Sequence, residues 1–503
     1  MLKQVNCKQK NNKLKSWFNI IILISIFWLC GVNFAAANES LSHQRHVLSR
    51  LSFGANSAEI EQINKSGIEA YIQSQLKPQT IEESPLLEDY LVRLDLINQK
   101  PVELQKKEIS LYQKLRNSNP SAKQEQKIRK DVRNLKTQAM NEAMGAHLAR
   151  AIYSNRQLQE VMVDFWFNHF NVDARKKAVR FWVNDYEEQI RTHALGNFAD
   201  LLLATAQHPA MLMYLDNYTN TAPQSPAGKK NKQGLNENYA RELMELHTLG
   251  VNDGYSQDDI ISLARIFTGW GIDREGKQGD GQGGFFFFPR RHDRQDKVFL
   301  DYKIKGSGVE EGKQAIEILA NHPATAHFIS YKLAQYFVAD IPPESLVNSL
   351  TKQFSNSRGN IKIVLDALIH SPEFNDPQYY GQKFKTPYQY LVSLVRMGEI
   401  EQPEIARVKG MIGQLSMPVY QCNTPDGYDN VESAWLNPDA ILRRTSFATA
   451  ISRGVLNRQN SVETQKIAQN LGEVSTTTKQ IIDKTPDKLR AALMMGSPEA
   501  MYR

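Results

Sequence analysis

Residues 157–171 read Gln-Leu-Gln-Glu-Val-Met-Val-Asp-Phe-Trp-Phe-Asn-His-Phe-Asn, apolar and aromatic nearly all round at helical spacing. A helix without a polar face has to be enclosed, so the rest of the chain must form a shell about it. The flanking sequence offers that shell as further helices. Residues 39–76 read as two helices around Phe53-Gly54, and 86–97, 103–115 and 122–154 as three more, broken by Pro101 and by Asn117-Ser118-Asn119-Pro120. Others are expected over 181–194, 198–206, after Pro209, from Asn236 to Gly250, from Ser256 to Phe267, and from Glu310 to the end. Asn236 can cap its helix and Gly250 can close it, while Ser256 with Asp259 makes a variant capping box.

One β signal interrupts this pattern: Phe285 to Phe288, a charged turn, then Lys297 to Ile304. The expected fold is therefore mainly α, a multi-helix globular bundle with one small β-hairpin or sheet near 285–305. The chain divides into a signal peptide at 1–37, a main helical domain at 38–395 and a C-terminal helical region at 396–503 packed on it. The main domain carries a charged helical insert at about 95–140 and a polar loop at 219–234, expected to be mobile and exposed. Within the insert, residues 123–136 hold six Lys and Arg against Glu125 and Asp131, which reads as a solvated face or a partner surface.

The leader sets the compartment. Lys3, Lys8, Lys10, Lys13 and Lys15 precede a mainly apolar run from Trp17 to Phe34, and Ala35-Ala36-Ala37 is a pattern that signal peptidase accepts. Cleavage after Ala37, export to the periplasm or beyond, and no membrane span in the mature chain are expected. A retained N-terminal anchor is the alternative, because the run matches the shortest spans in length. The net charge is +7, but the five leader lysines are unopposed by any acid, so the mature chain carries only +2. Nucleic-acid binding loses its electrostatic support. Cys7 and Cys30 leave with the leader, and Cys422 alone permits neither an intramolecular disulfide nor a cysteine zinc cluster.

Metalloprotease, phosphate-loop, nucleophile-elbow and dinucleotide signatures are all absent from the sequence. Candidate residues are therefore dispersed. Asp164, Asn168, His169 and Asn171 sit among Phe165, Trp166, Phe167 and Phe170, where each buried polar group needs a partner. They read either as a polar network pinning helices together or as one wall of a site. His193, Asn236 and His247 are candidates for the same network. His247 falls in the apolar arc of the 236–250 helix, opposite Glu237, Arg241, Glu242 and Glu245, at about 100° per residue. Glu237-Arg241-Glu245 can form an ion ladder; Glu242, Glu245 and Arg241 are also the candidate catalytic groups. His169, His208 and Asp216 are candidate ligands of a divalent metal, with His292 and Asp293 as a second pair.

At these residues the chain resembles a known family. Phe165-Trp-Phe-Asn-His-Phe170, Ile190-Arg-Thr-His-Ala-Leu-Gly196, Ala206-Gln-His-Pro-Ala-Met211 and Tyr214-Leu-Asp-Asn217 are similar to motifs of the domain of unknown function 1800 family. So are Leu235-Asn-Glu-Asn-Tyr-Ala-Arg-Glu-Leu-Met-Glu-Leu-His-Thr-Leu-Gly250, Phe267-Thr-Gly-Trp270, His292-Asp293, His46-Val-Leu-Ser-Arg-Leu-Ser-Phe-Gly54 and Trp435-Leu-Asn-Pro438. The resemblance covers nearly all of the mature chain and implies an exported bacterial helical protein. It further implies a secreted partner of the domain of unknown function 1501 family, whose members look like sulfatases and alkaline phosphatases. No catalytic role follows for any residue.

Two functions fit. One is a binding or assembly module of the bacterial envelope serving such a partner. The other is a metal-assisted envelope hydrolase, with His and Asp on the cation and Glu242 or Glu245 as general base.

Overall fold

The computed structural model describes residues 41–503 apart from 118–119, 232–233, 252–253, 280 and 458–460. The expected signal peptide at 1–37 lies outside the described residues. The fold is mainly α, 62% helical, with two small two-stranded antiparallel sheets. Among the described residues no helix is long and apolar enough to cross a membrane.

The aromatic helix Gln157–His169 is enclosed as its composition demands. Leu158, Met162 and Trp166 are each wholly buried, and the helices Ala122–Tyr153 and Val179–His193 pack along it. Its start lacks a side-chain cap, so Gln157 does the pinning. The Gln157 amide accepts the Phe53 N–H at 3.1 Å and donates to the Ala151 and Ser154 carbonyls at 3.2 and 2.8 Å. At the other end Trp166 Nε1 donates to Ala194 at 3.0 Å and the Tyr186 hydroxyl to Phe170 at 2.7 Å. A buried ionic belt ties these helices together: Arg191 bridges Glu160 (2.8 Å) and Glu187 (2.7 Å), and Glu187 also bonds His147 Nδ1 at 2.7 Å and the Tyr420 hydroxyl.

Strand β1 (Trp270–Asp273) pairs with β2 (Gly284–Phe287), and β3 (Lys297–Phe299) with β4 (Tyr302–Ile304). The phenylalanine strand thus pairs backwards with Trp270, not forwards with 297–304. Trp270 is the reason: wholly buried, it packs tilted against Phe267 at 4.5 Å and edge-on against Phe285 at 5.4 Å. The second ribbon closes on itself because Leu300 and Asp301 both adopt positive φ, 47° and 65°, the geometry of a tight hairpin turn.

The stretch at 219–234, expected to be exposed and mobile, is instead hydrogen-bonded into the fold over its first half. Asn220, Thr221 and Ala222 are buried, and the Ala222 and Ala227 N–H groups bond the Arg291 and Arg290 carbonyls at 2.8 and 3.0 Å. Asn220 and Ser225 spend their side chains on the Ala264 and Ala222 carbonyls, while Gln224, Lys229 and Lys230 remain exposed. The charged insert is a helical hairpin. Pro101–Asn117 and the outer half of Ala122–Tyr153 lie side by side, joined by Lys136 and Glu108 at 2.6 Å, and the long helix becomes buried only from about Ala139 inward. At the chain's end, Lys383 and Arg503 exchange main-chain bonds of 3.1 and 2.8 Å, fixing the last residues against 383–385.

Candidate functional site

A cavity of about 150 Å³ opens over the aromatic helix. Asp164, Asn168 and His169 form its floor, Lys332 and Tyr336 of the helix Pro323–Phe337 one wall, and Asp426 to Asn430 of a late loop another. A smaller recess of about 40 Å³ shares Asp164, Asn168, Met417 and Tyr428 with it and reaches His147 and Asn171.

The late loop is held by the motif asparagines. Asn168 Nδ2 donates to the Tyr428 carbonyl and its Oδ1 accepts the Tyr428 N–H, both at 2.8 Å. Asn171 Nδ2 donates to the Cys422 and Thr424 carbonyls at 3.1 and 2.7 Å, and the Tyr214 hydroxyl donates to Asn423 at 3.0 Å. Gly427 makes the close approach possible: at φ +77°, a Cβ there would lie 2.2 Å from the Asn168 carbonyl oxygen.

His169 and His247 are neutral and half-used. Nε2 of His169 lies 3.1 Å from the His247 carbonyl, so it must carry the proton, and Nδ1 is a bare lone pair with no partner among the described residues. His247 bonds the Pro425 carbonyl and leaves Nε2 equally bare. The rings sit 6.0 Å apart. Burial first, then Lys332, pushes the His247 imidazole down to about 3; burial, Lys332 and His247 hold that of His169 well below its usual value. Among the described residues Lys332 makes no ion pair; it lies 5.0 Å over the Phe328 ring. Burial lowers its ammonium pKa against the charges of Asp426 and Asp429. Burial raises the Asp164 carboxyl to about 6, against the pull of His147 and Arg503, and the Tyr336 hydroxyl donates to it at 3.4 Å. Burial alone would lower the His147 imidazole, but the Glu187 carboxylate beside it turns the shift upward.

The other sequence candidates lie elsewhere or do other work. His208 Nδ1 caps the next helix by accepting the Ala210 N–H at 3.1 Å, and its Nε2 bonds Asp185 at 2.9 Å. Asp216 is paired with Lys176 at 3.2 Å and with Lys177. His169, His208 and Asp216 are thus not brought together, and among the described residues no group of three His, Cys, Asp or Glu side chains could hold a metal. His292 is buried against Glu311 at 2.8 Å, which also pairs Lys297 at 2.5 Å, and Asp293 binds Arg265 at 2.8 Å. Asn236 caps Asn238 at 3.0 Å and bonds the Leu215 carbonyl at 3.1 Å. His193 ends its helix half-buried and does not line the cavity. Arg241 sits between Glu237 (4.0 Å) and Glu245 (3.4 Å) as a ladder. Glu242 alone of that group feels the site: burial, then Glu245 and Asp426, raises its carboxyl.

Lys332, Tyr336, Asp426, Tyr428 and Asp429 were not singled out from the sequence. The loop Asp426-Gly-Tyr-Asp-Asn430 carries a turn signal, but nothing local says that it folds back onto residue 168.

Fold and cavity define a mainly α-helical protein built round one enclosed aromatic helix, with a late loop clamped over it. The chain belongs to the family described as protein of unknown function (DUF1800), whose model matches residues 46–502, nearly its whole length. No curated protein and no solved structure matches it.

Proposed function

We propose that the protein is an exported binding module of the bacterial envelope that receives one group of a secreted partner in the cavity over the aromatic helix. The observation that carries this is the Asn168 clamp. Both ends of its amide are committed to Tyr428, and Asn171 is committed to Cys422 and Thr424, so these side chains build a loop and its recess. About 150 Å³ admits a side chain or head group, not a whole substrate. Lys332 offers it a cation, and Asp426 and Asp429 offer carboxylates. Export rests on the leader, and a member of the domain of unknown function 1501 family is the partner that the resemblance suggests. The test is a photo-crosslinker at Gln335, on the cavity wall, in the full chain expressed in its own envelope. One secreted protein should be captured, and Lys332→Met should abolish the capture. No adduct, or an adduct indifferent to Lys332→Met, overturns the proposal.

A second reading, the hydrolase, is favoured by one observation: the Asp164 carboxyl, raised to about 6 beside a cavity, lies in the range useful for proton transfer. A divalent metal would have to take further ligands from water or substrate. Metal analysis of the purified protein, with hydrolysis of ester and phosphoester probes by wild type and His169→Ala, distinguishes it. A turnover lost in His169→Ala supports this reading; no turnover refutes it.

A further inference from the structure

A second cavity, of about 640 Å³, lies where the helix 41–51 meets the chain's last residues. Arg45, His46, Lys385 and Arg503 line it, and so do Glu432, Glu473 and Glu499; Leu41 and Leu471 supply apolar surface. Arg45, His46 and Lys385 do not line the cavity over the aromatic helix; Arg503 touches its wall from behind, donating Nη2 to the Tyr336 carbonyl at 2.8 Å.

Its surroundings hold more cations than carboxylates. Arg50, Lys383, Lys385, Arg444 and Arg503 are all buried, with exposures between 0% and 7%. They are close enough to oppose one another. After burial itself, Arg503 and Arg444 lower the pKa of Lys385, and Arg503 lowers those of Arg50 and Lys383. Four carboxylates oppose these five and Arg45: Asp340 pairs with Lys383, Glu432 accepts the Tyr502 hydroxyl, Glu473 faces Arg45, and Glu499 is taken up by the Ser475 N–H and the Thr478 hydroxyl. Buried like charges in excess of their counter-charges are unfavourable unless something compensates them.

The hydrogen-bond inventory points the same way. Nε and Nη1 of Arg50, Nε and Nη1 of Arg444, and Nε of Arg503 have no acceptor among the described residues, nor does Nη1 of Arg45 on the cavity wall. Lys385 Nζ reaches only uncharged oxygens, Ser393 Oγ at 3.1 Å and the Ala500 carbonyl at 2.8 Å. Guanidinium and ammonium groups left in this state are matched by carboxylate or phosphate oxygens. His46 adds a complementary feature. Its Nε2 bonds the Phe374 carbonyl at 2.8 Å and so carries the proton, leaving a buried Nδ1 lone pair able to accept an O–H. The volume lies within the range of small-molecule sites, and the apolar lining suits a tail behind a charged head.

We infer that this cavity binds a small organic anion, a carboxylate or phosphate monoester with a short apolar tail, its head held by Arg503, Lys385 and Arg45. Arg50 and Arg444 lie outside the lining and raise the positive potential around it.

The test is calorimetric titration of the full mature chain with hexanoate, n-hexyl phosphate, inorganic phosphate and hexanol at constant ionic strength. Either tailed anion should bind at a single site, while hexanol should give no heat. Lys385→Met removes one of several repelling cations, so folding is not endangered, and Arg45→Gln changes a group at the cavity wall. Each should weaken binding by at least about tenfold, the loss of one charge-assisted contact. Three results overturn the inference. They are heat from hexanol equal to that from the anions, which makes the cavity merely apolar; the same signal from inorganic phosphate, an adventitious ion only; and wild-type binding by both variants.

Discussion

Asn168 offers the sharpest single perturbation. Its two bonds to Tyr428, both 2.8 Å, are the link between the aromatic helix and the loop that closes the cavity. Asn168→Ala removes them and leaves a main-chain N–H and C=O at Tyr428 without protein partners. Each such group costs about 1–3 kcal/mol when left unsatisfied in the interior. Asn168 lines the cavity, so water can enter and restore part of that, and a net loss of about 2–3 kcal/mol is expected. Because Asn171 and Tyr214 still hold residues 422–424, the loss should appear as local opening of 425–430. Hydrogen exchange at the Tyr428 amide should accelerate by about 30- to 100-fold while amides of the aromatic helix keep their protection. Asn168→Asp should be nearly as disruptive, because an oxygen then faces the Tyr428 carbonyl where an N–H was. Unchanged exchange at 425–430 in both variants would mean that the loop is held by something else and that the clamp has no energetic weight.

Three further outcomes follow from the same coordinates. The Asp164 carboxyl binds its proton more tightly folded (about 6) than at its ordinary 3.8, so wild-type stability should fall as pH rises through that window. Asp164→Asn should remove this dependence, matching wild type near pH 4 and exceeding it by about 3 kcal/mol at pH 8; urea unfolding across that range checks it, and a variant weaker at pH 8 refutes it. Burial alone would raise Glu311, but His292, Lys297 and the Gly308 N–H hold its carboxyl below the usual range, so its stabilisation is present at neutral pH and lost as pH falls through the depressed value. Glu311→Gln strands Lys297 in the interior and should destabilise by about 3–5 kcal/mol, with Lys297→Met in the same chain recovering most of it in thermal unfolding. Gly427→Ala forces a Cβ to 2.2 Å from the Asn168 carbonyl oxygen, and should loosen 425–430 in the same exchange measurement as Asn168→Ala.

The enclosed helix was readable in advance because a segment such as Phe165-Trp166-Phe167 has no alternative to burial, and the caps at Asn236 and Ser256 because capping is a local transaction between neighbours. The expectation that Asp164, Asn168 and His169 would find compensation inside the fold was likewise a statement about solvation, which composition determines. What compensates them was not readable. Asn168 is satisfied by residue 428, His169 by the carbonyl of residue 247, and Asp164 by a hydroxyl on residue 336, all long-range contacts that periodicity does not encode. His208 shows the converse failure. As an imidazole followed by proline it was grouped with metal ligands, yet it serves as a helix cap, a role that His322-Pro323 repeats with its Nδ1 accepting the Ala324 N–H at 3.2 Å. The β signal failed only in its pairing, because partner choice depends on where Trp270 is buried.

Among the described residues, the outer part of the helical hairpin formed by Pro101–Asn117 and Ala122–Tyr153 is mostly exposed, and burial begins at its root. Two antiparallel helices growing outward from such a root can lengthen or shorten together by whole turns without displacing any core atom. Reach and surface charge in that arm can therefore change while the centre stays the same, and a reporter domain spliced into it would ride on the molecule as passive cargo.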